Sequence, residues 1–335
     1  MIYVKPSFYD KFRCIASRCK DNCCIGWEID VDDVSYEKYC GVDGDFGQML
    51  MDRIYLSPEG DRCFRLGDND RCPFLNKENL CDIIINCGEE YLCDICREHP
   101  RFYEWFPGVT ECGLGLSCEE VCRILLSDEK PLELIEQNDG EEIVLDTSDD
   151  VAESDTYIFL SSLREHFFDV LKTCDALEDK LANILSRTER FAGEEIHLRD
   201  YRNSIALYMK TEPIDENWSL YIKSLNDNLD GILSVEDEFN TKIDGDKLYS
   251  KILAYIIYRH FLKSVFDGGI VERVCFCVES VRFIKLCDMK SYYEKGTLTM
   301  ADRIENLKNW SKQVEYSEEN IDLLIYGDKS NPNLF

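Results

Sequence analysis

Residues 14–24 read Cys14-Ile15-Ala16-Ser17-Arg18-Cys19-Lys20-Asp21-Asn22-Cys23-Cys24, and the same density of thiols continues through Cys72-Pro73-Phe74-Leu75, Cys81 and Cys93-Asp94-Ile95-Cys96. Of the 18 cysteines in 335 residues, 14 fall between Cys14 and Cys122. Packing does not ask for that many thiols in a third of a chain, so the stretch is either crosslinked or metal-binding. The opening residues hold no apolar segment of the secretory kind. No uncharged run approaches the ~20 residues that span a bilayer; the best apolar candidate, residues 253–266, contains Arg259, His260 and Lys263. The expectation is a soluble, cytoplasmic protein. A reducing compartment disfavours structural disulfides and turns the cysteine pattern toward metal or redox chemistry.

Charge narrows the partners. With 38 Lys and Arg against 67 Asp and Glu, the net charge is −29. Such a surface repels phosphate backbones, so nucleic acid and anionic membranes are excluded as partners, while a lysine-bearing protein is compatible.

Working outward, the chain divides into residues 1–126, a cysteine-rich metal-binding module; 127–155, an acidic linker; and 156–335, an α-helical domain. The linker carries 12 Asp or Glu against one Lys and no aromatic. Within the module, residues 27–31 alternate as a strand does. Asp32 or Asp33 caps a helix over 34–39, and 48–55 reads as a helical turn or two. Strands at 62–66 and 80–85, flanking the turn at 67–70, predict a ribbon presenting Cys72 and Cys81. Residues 88–96 read as a helix with Cys93 and Cys96 on one face, and Ser117 with Glu120 as a capping box for a helix over 118–126. Beyond the linker, helices are expected over 156–191 (one or two), 198–210, 217–229, 246–266, 270–289, 300–314 and 318–326. The fold class is mainly α, with a short-stranded cysteine module followed by a helical bundle. Cys275 and Cys277 are two apart on a helix and cannot share an ion; with Cys174 and Cys287 they read as ordinary thiols.

Several ligands drawn from one tight loop lower the entropic cost of metal capture. Cys19, Cys23 and Cys24 come from one loop, Cys93 and Cys96 have the commonest metal spacing, and Cys72 and Cys81 lie between them. Tetrahedral zinc and a four-iron cluster both take four thiolates, and spacing alone leaves the two open. Only His99 of the four histidines lies near these cysteines.

Taken together, Phe12-Arg13-Cys14, Cys19, Cys23-Cys24-Ile25-Gly26-Trp27, Cys72-Pro73-Phe74-Leu75, Leu80-Cys81-Asp82-Ile83, Cys96 with Pro100-Arg101-Phe102, and Leu116-Ser117-Cys118-Glu119-Glu120 resemble the flagellin lysine-N-methylase family. That family is a branch of wider cysteine-cluster proteins. The resemblance covers residues 1 to about 126. It implies an iron–sulfur cluster (4Fe-4S), S-adenosylmethionine as methyl donor, and methylation of surface lysines on flagellin. It places the ligands among Cys19, Cys23, Cys24, Cys72, Cys81, Cys93 and Cys96, with Cys14 next and Cys118 in reserve. One metal or two remain open.

Neither familiar donor signature is present. A radical Cys-x3-Cys-x2-Cys motif starting at Cys19 meets Gly26, one starting at Cys118 meets Leu125, and no glycine-rich donor loop follows a first strand. For the donor, Arg97 and Arg101 can hold a carboxylate or offset cluster charge, and plain salt bridges are the alternative. Tyr91, Tyr103, Trp105 and Phe106 can wall a pocket and attract a sulfonium, or be ordinary core. The competing function is a non-enzymatic zinc or iron–sulfur module for structure or redox sensing.

Overall fold

The computed structural model describes residues 2–138, 148–243 and 245–327. They fall into two compact units. One comprises the chain up to Phe12, Tyr103–Ser117 and everything from Val121 on; the other comprises Arg13–Phe102 and Cys118–Glu120. This division differs from the one drawn on composition, because the first strand and a central hairpin belong with the helices.

The helical unit contains a four-stranded sheet. Its strands are β1 (Ile2–Pro6), β4 (Arg101–Phe106), β5 (Val109–Leu114) and β6 (Leu134–Asn138), in the order β4-β5-β1-β6; β2 (Ile54–Leu56) and β3 (Arg62–Phe64) lie in the other unit. β1 runs parallel to β5, with Tyr3 opposite Thr110, and antiparallel to β6, with Tyr3 opposite Gln137. β6 and the start of the Ser148–Lys172 helix occupy much of the stretch expected to be linker, while residues 139–147 of it lie outside the described residues.

The Ile270–Lys295 helix is the axis of this unit, packed by the Asp246–His260, Leu177–Ala192 and Met300–Val314 helices. Burying each large apolar side chain there stabilises the fold by about 1.5–3 kcal/mol. Several of the polar groups buried in this unit are paired across it. Tyr258 donates to the carbonyls of Val4 and Cys112, both at 2.9 Å. Arg164 grips Glu111 with two nitrogens, at 2.6 and 2.8 Å, and Tyr157 donates to the same carboxylate.

The helix ends follow their capping residues. Gly193 closes the Leu177–Ala192 helix in the left-handed region, φ +74°, where a Cβ would be strained. Thr299 and Asp302 form a reciprocal capping box on the Met300–Val314 helix. The segment expected over 156–191 is two helices, broken at residues 173–176. No described helix is long and apolar enough to cross a membrane.

The cysteine unit is built from short pieces: helices Asp33–Cys40, Gly44–Asp52, Asp82–Cys87 and Asp94–Glu98, and the ladder of β2 (Ile54–Leu56) with β3 (Arg62–Phe64). Three expectations are corrected. Residues 27–31 form no strand, only a single bridge from Asp30 to Cys63. Residues 80–85 do not return as a strand: β3 pairs with β2, and Asp82 opens a helix that buries Ile83 alone of the three isoleucines. Short apolar runs carry both readings. Residues 88–96 form a 3-10 turn at Glu89–Tyr91 and then the helix Asp94–Glu98, for which Cys93 is the N-terminal flanking residue. Ile29, Val31, Tyr39, Leu50, Phe64, Phe74 and Ile83 make the core, together with Cys72 and Cys93.

Candidate metal centre

Backbone pairing brings the first thiols together. The loop at 22–26 is strung against 70–72: Gly26 N–H donates to the Asp70 carbonyl at 3.0 Å, Ile25 bridges Arg71, and Cys72 N–H donates to the Cys24 carbonyl at 2.8 Å. Asn22 Oδ1 accepts from the Cys24 amide at 2.9 Å and holds the turn. Gly26 has φ +79°, so the position where a radical motif would put a third cysteine favours glycine.

Cys81 is delivered by a tight turn. Leu75 bridges Cys81, Asp82 N–H donates to the Phe74 carbonyl, and Asn76 Oδ1 accepts from the Glu78 and Leu80 amides between them. Cys93 is held from two sides. Tyr39 places its hydroxyl 3.2 Å from the Cys93 sulfur while donating to the Tyr91 carbonyl at 2.7 Å. Asp32 accepts from Ser35 N–H with one oxygen and Asp94 N–H with the other, both at 2.9 Å, so one carboxylate caps two helices.

Six thiols are gathered in this region, with Cys96 and Cys24 as their links. Cys96 feels Cys93, Cys72, Cys23 and Cys81; Cys24 feels Cys23, Cys72 and Cys96. Cys72 and Cys93 are buried, Cys24, Cys81 and Cys96 half-buried, and Cys23 exposed. Burial pushes Cys72 and Cys93 each up to about 11 and raises Cys96 further. Cys23 is the exception: hydrogen bonds to its sulfur from Cys24 and His99 lower its pKa, and the same contact raises Cys24. The donors of this set are all sulfur.

Cys14 and Cys19 adjoin that set at Cys23. Cys19 donates to the Asp21 carbonyl at 3.1 Å, and its neighbours are Glu119, Cys118 and Cys23; those of Cys14 are Cys23, Cys118 and Glu120. His99, near the module but unassigned by spacing, is hydrogen-bonded to both Cys118 and Cys23. Burial opposes its charged form, but those two bonds outweigh it and raise His99 to about 9. Neither its place nor that of Cys118 has a local signature, since tertiary packing supplies both.

Cys63 sits elsewhere, with its sulfur and the carboxylates of Glu28 and Asp30 all within 4.8 Å of one another. Its thiol donates to Asp30 at 3.3 Å, and burial pushes it up to about 12. All 18 cysteines are free thiols.

The expected donor-binding residues are dispersed. Arg97 pairs with Asp94 and Glu98, and Arg101 donates to the Arg97 carbonyl at 3.4 Å. Tyr91 packs against the core of the cysteine unit, while Tyr103 belongs to the helical unit, its ring stacked on the exposed Trp105 at 6.3 Å.

Comparison with known proteins adds the other half of the chain. Residues 122–330 match the model of the FliB lysine N-methylase C-terminal domain. The chain belongs to the FliB lysine N-methylase family. It is 28% identical over 141 residues to the lysine-N-methylase of Salmonella typhimurium, an alignment covering 40% of this chain and 34% of that relative. Salmonella choleraesuis has a lysine-N-methylase with the same identity and coverage. The flagellar biosynthetic protein FliU of Salmonella muenchen is also 28% identical over 141 residues, here 82% of the relative's length. The chain thus spans about a third of the length of the curated lysine-N-methylases it matches. No solved structure matches. The cysteine motifs that resemble this family lie before residue 126, whereas the FliB match covers the helices.

Proposed function

We propose that the chain is a protein-lysine N-methyltransferase that takes its methyl group from S-adenosylmethionine, depends on an iron–sulfur cluster, and modifies surface lysines of flagellin. The observation that carries this is the all-sulfur set of Cys23, Cys24, Cys72, Cys81, Cys93 and Cys96 in a chain of the FliB family. An all-thiolate set suits a four-iron cluster, which takes four of the six. When bound, such a group supplies electron-transfer or Lewis-acid chemistry. Relatives named lysine-N-methylase and flagellar biosynthetic protein support the reaction and the substrate.

Methyl transfer to nitrogen needs the lysine amine neutral. From a reference pKa of ~10.4, deprotonation at neutral pH costs about 5 kcal/mol, which desolvation against aromatic faces offsets. The exposed stack of Tyr103 and Trp105 is such a surface, able to cover the aliphatic stem of an incoming lysine. For the donor, Arg97 and Arg101 are the cations whose charge matches its carboxylate, and Tyr91, in the same unit, is an aromatic partner for the sulfonium.

The test is co-expression with the host's flagellin followed by intact-mass measurement. Mass steps of one methylene each are expected with the native chain and none with Cys72→Ser. Unmodified flagellin beside a chain that carries its full iron and sulfide would refute the assignment and favour a non-enzymatic metal module.

A further inference from the structure

We propose that the cysteine unit holds a second metal, a single zinc-type dication bound by Cys14, Cys19, Cys118 and the imidazole of His99. Its ligands are the donors that the all-sulfur set leaves over.

The chain brings them into one neighbourhood. The turn Ala16–Arg18, entered through Ala16 at φ +50°, folds the chain back between Cys14 and Cys19. The returning strand of that loop is fastened to the first turn of the Glu119–Ser127 helix: Lys20 N–H donates to Glu119 Oε2 at 2.8 Å, and the Cys19 thiol lies 3.7 Å from the same oxygen. Cys118 stands just before that helix and is the common neighbour of Cys14, Cys19 and His99. Cys14 is exposed, and Cys19 and Cys118 are half-buried, so all three thiols have room to turn onto one ion.

The donor chemistry separates the two sites. Three thiolates and an imidazole form the Cys3His set of structural zinc, with bonds of about 2.3 Å to sulfur and 2.0–2.1 Å to nitrogen. An iron–sulfur cluster takes thiolates throughout in its common forms. Cys23, hydrogen-bonded to His99 and beside Cys24, stands where the two sets meet.

The local packing gives such an ion a purpose. No residue from Arg13 to Glu28 is buried, and the stretch holds a single 3-10 turn and no strand or α-helix. Apolar contacts therefore do little to fix a loop that must present Cys23 and Cys24. A clip joining Cys14 and Cys19, on its N-terminal side, to Cys118 and His99 would supply part of that constraint.

The test is metal analysis of the anaerobically purified full chain, with zinc, iron and sulfide measured together. One zinc per chain is expected beside the cluster iron. His99→Ala and Cys118→Ser should lower zinc by about tenfold or more while iron and sulfide stay; Cys72→Ser should do the reverse, and His99→Cys should keep zinc. Cobalt in place of zinc should give thiolate charge-transfer bands that shift in His99→Cys. Native protein without zinc, zinc retained in both His99→Ala and Cys118→Ser, or zinc and iron lost together in both overturns the proposal. Protein with zinc but no iron or sulfide would count against the cluster of the proposed function and leave this site standing.

Discussion

The two units hold themselves together by different means. In the helical unit the Ile270–Lys295 helix is buried along most of its length, and buried polar groups on neighbouring elements find partners: Arg164 with Glu111, and Arg259 and His260 with Glu315. Its cysteines behave as small apolar residues, Cys277 and Cys287 being fully buried with thiols that burial holds protonated. In the cysteine unit the longest helix has 9 residues, and two of the core side chains are themselves candidate ligands. Ligation by those side chains would add to what the small core supplies. One unit is specified by shape; the other, on the proposal made above, by coordination.

That contrast can be broken at several points. The largest effect should come from the thiols. Serine at Cys72 or Cys96 should abolish cluster loading and open residues 13–102 to protease, whereas Cys277→Ser should leave the metal content unchanged; equal metal in all three variants would remove the distinction. Next comes Arg164→Met, which strands the buried Glu111 carboxylate and should cost the helical unit about 3–5 kcal/mol in urea unfolding, with iron and sulfide unaltered in the folded fraction.

A smaller effect is set by pH. His260 is wholly buried against Phe276 and Glu315, and burial lowers its pKa to about 4 against an ordinary 6.5. The unfolded chain then binds the extra proton first. Stability is fully present above pH 6.5 and falls as the pH drops toward 4, by about 3 kcal/mol at most. Asp288, raised by burial to about 6, works in the opposite sense over pH 6 to 3.8. The discriminating measurement is therefore the difference between native chain and His260→Gln: the native chain should lose ground to the variant between pH 7 and 4.5, and parallel urea midpoints would contradict it. The smallest effect is expected of Arg97→Ala. Its exposed pairs with Asp94 and Glu98 should leave unfolding unchanged, so any loss would have to appear in S-adenosylmethionine binding.

The same contrast governed what the sequence made legible. Helices announce themselves locally: Asp32, Gly193, Thr299 and Ser317 stand at or beside the ends that periodicity predicts. β1 was invisible, because residues 2–6 find their partners at 109–111 and 134–138 and nothing local encodes that pairing. In the cysteine unit, spacing put forward Cys14, Cys19, Cys23, Cys24, Cys72, Cys81, Cys93 and Cys96 as candidate ligands, because many chelating pairs lie close along the chain. It gave no ground for setting Cys14 and Cys19 apart or for drawing in His99, as the proposed second site does. That partition depends on Glu119 meeting the loop at Cys19 and Lys20, a contact across about a hundred residues.

The most direct test is hydrogen exchange, read by mass spectrometry on the metal-loaded chain and on the same chain stripped anaerobically by chelator. Stripping should deprotect the amides of residues 13–102, while the Asp246–His260 and Ile270–Lys295 helices keep their slow exchange. Unchanged protection in residues 13–102, or equal loss throughout both units, would contradict the division between a coordinated unit and a packed one.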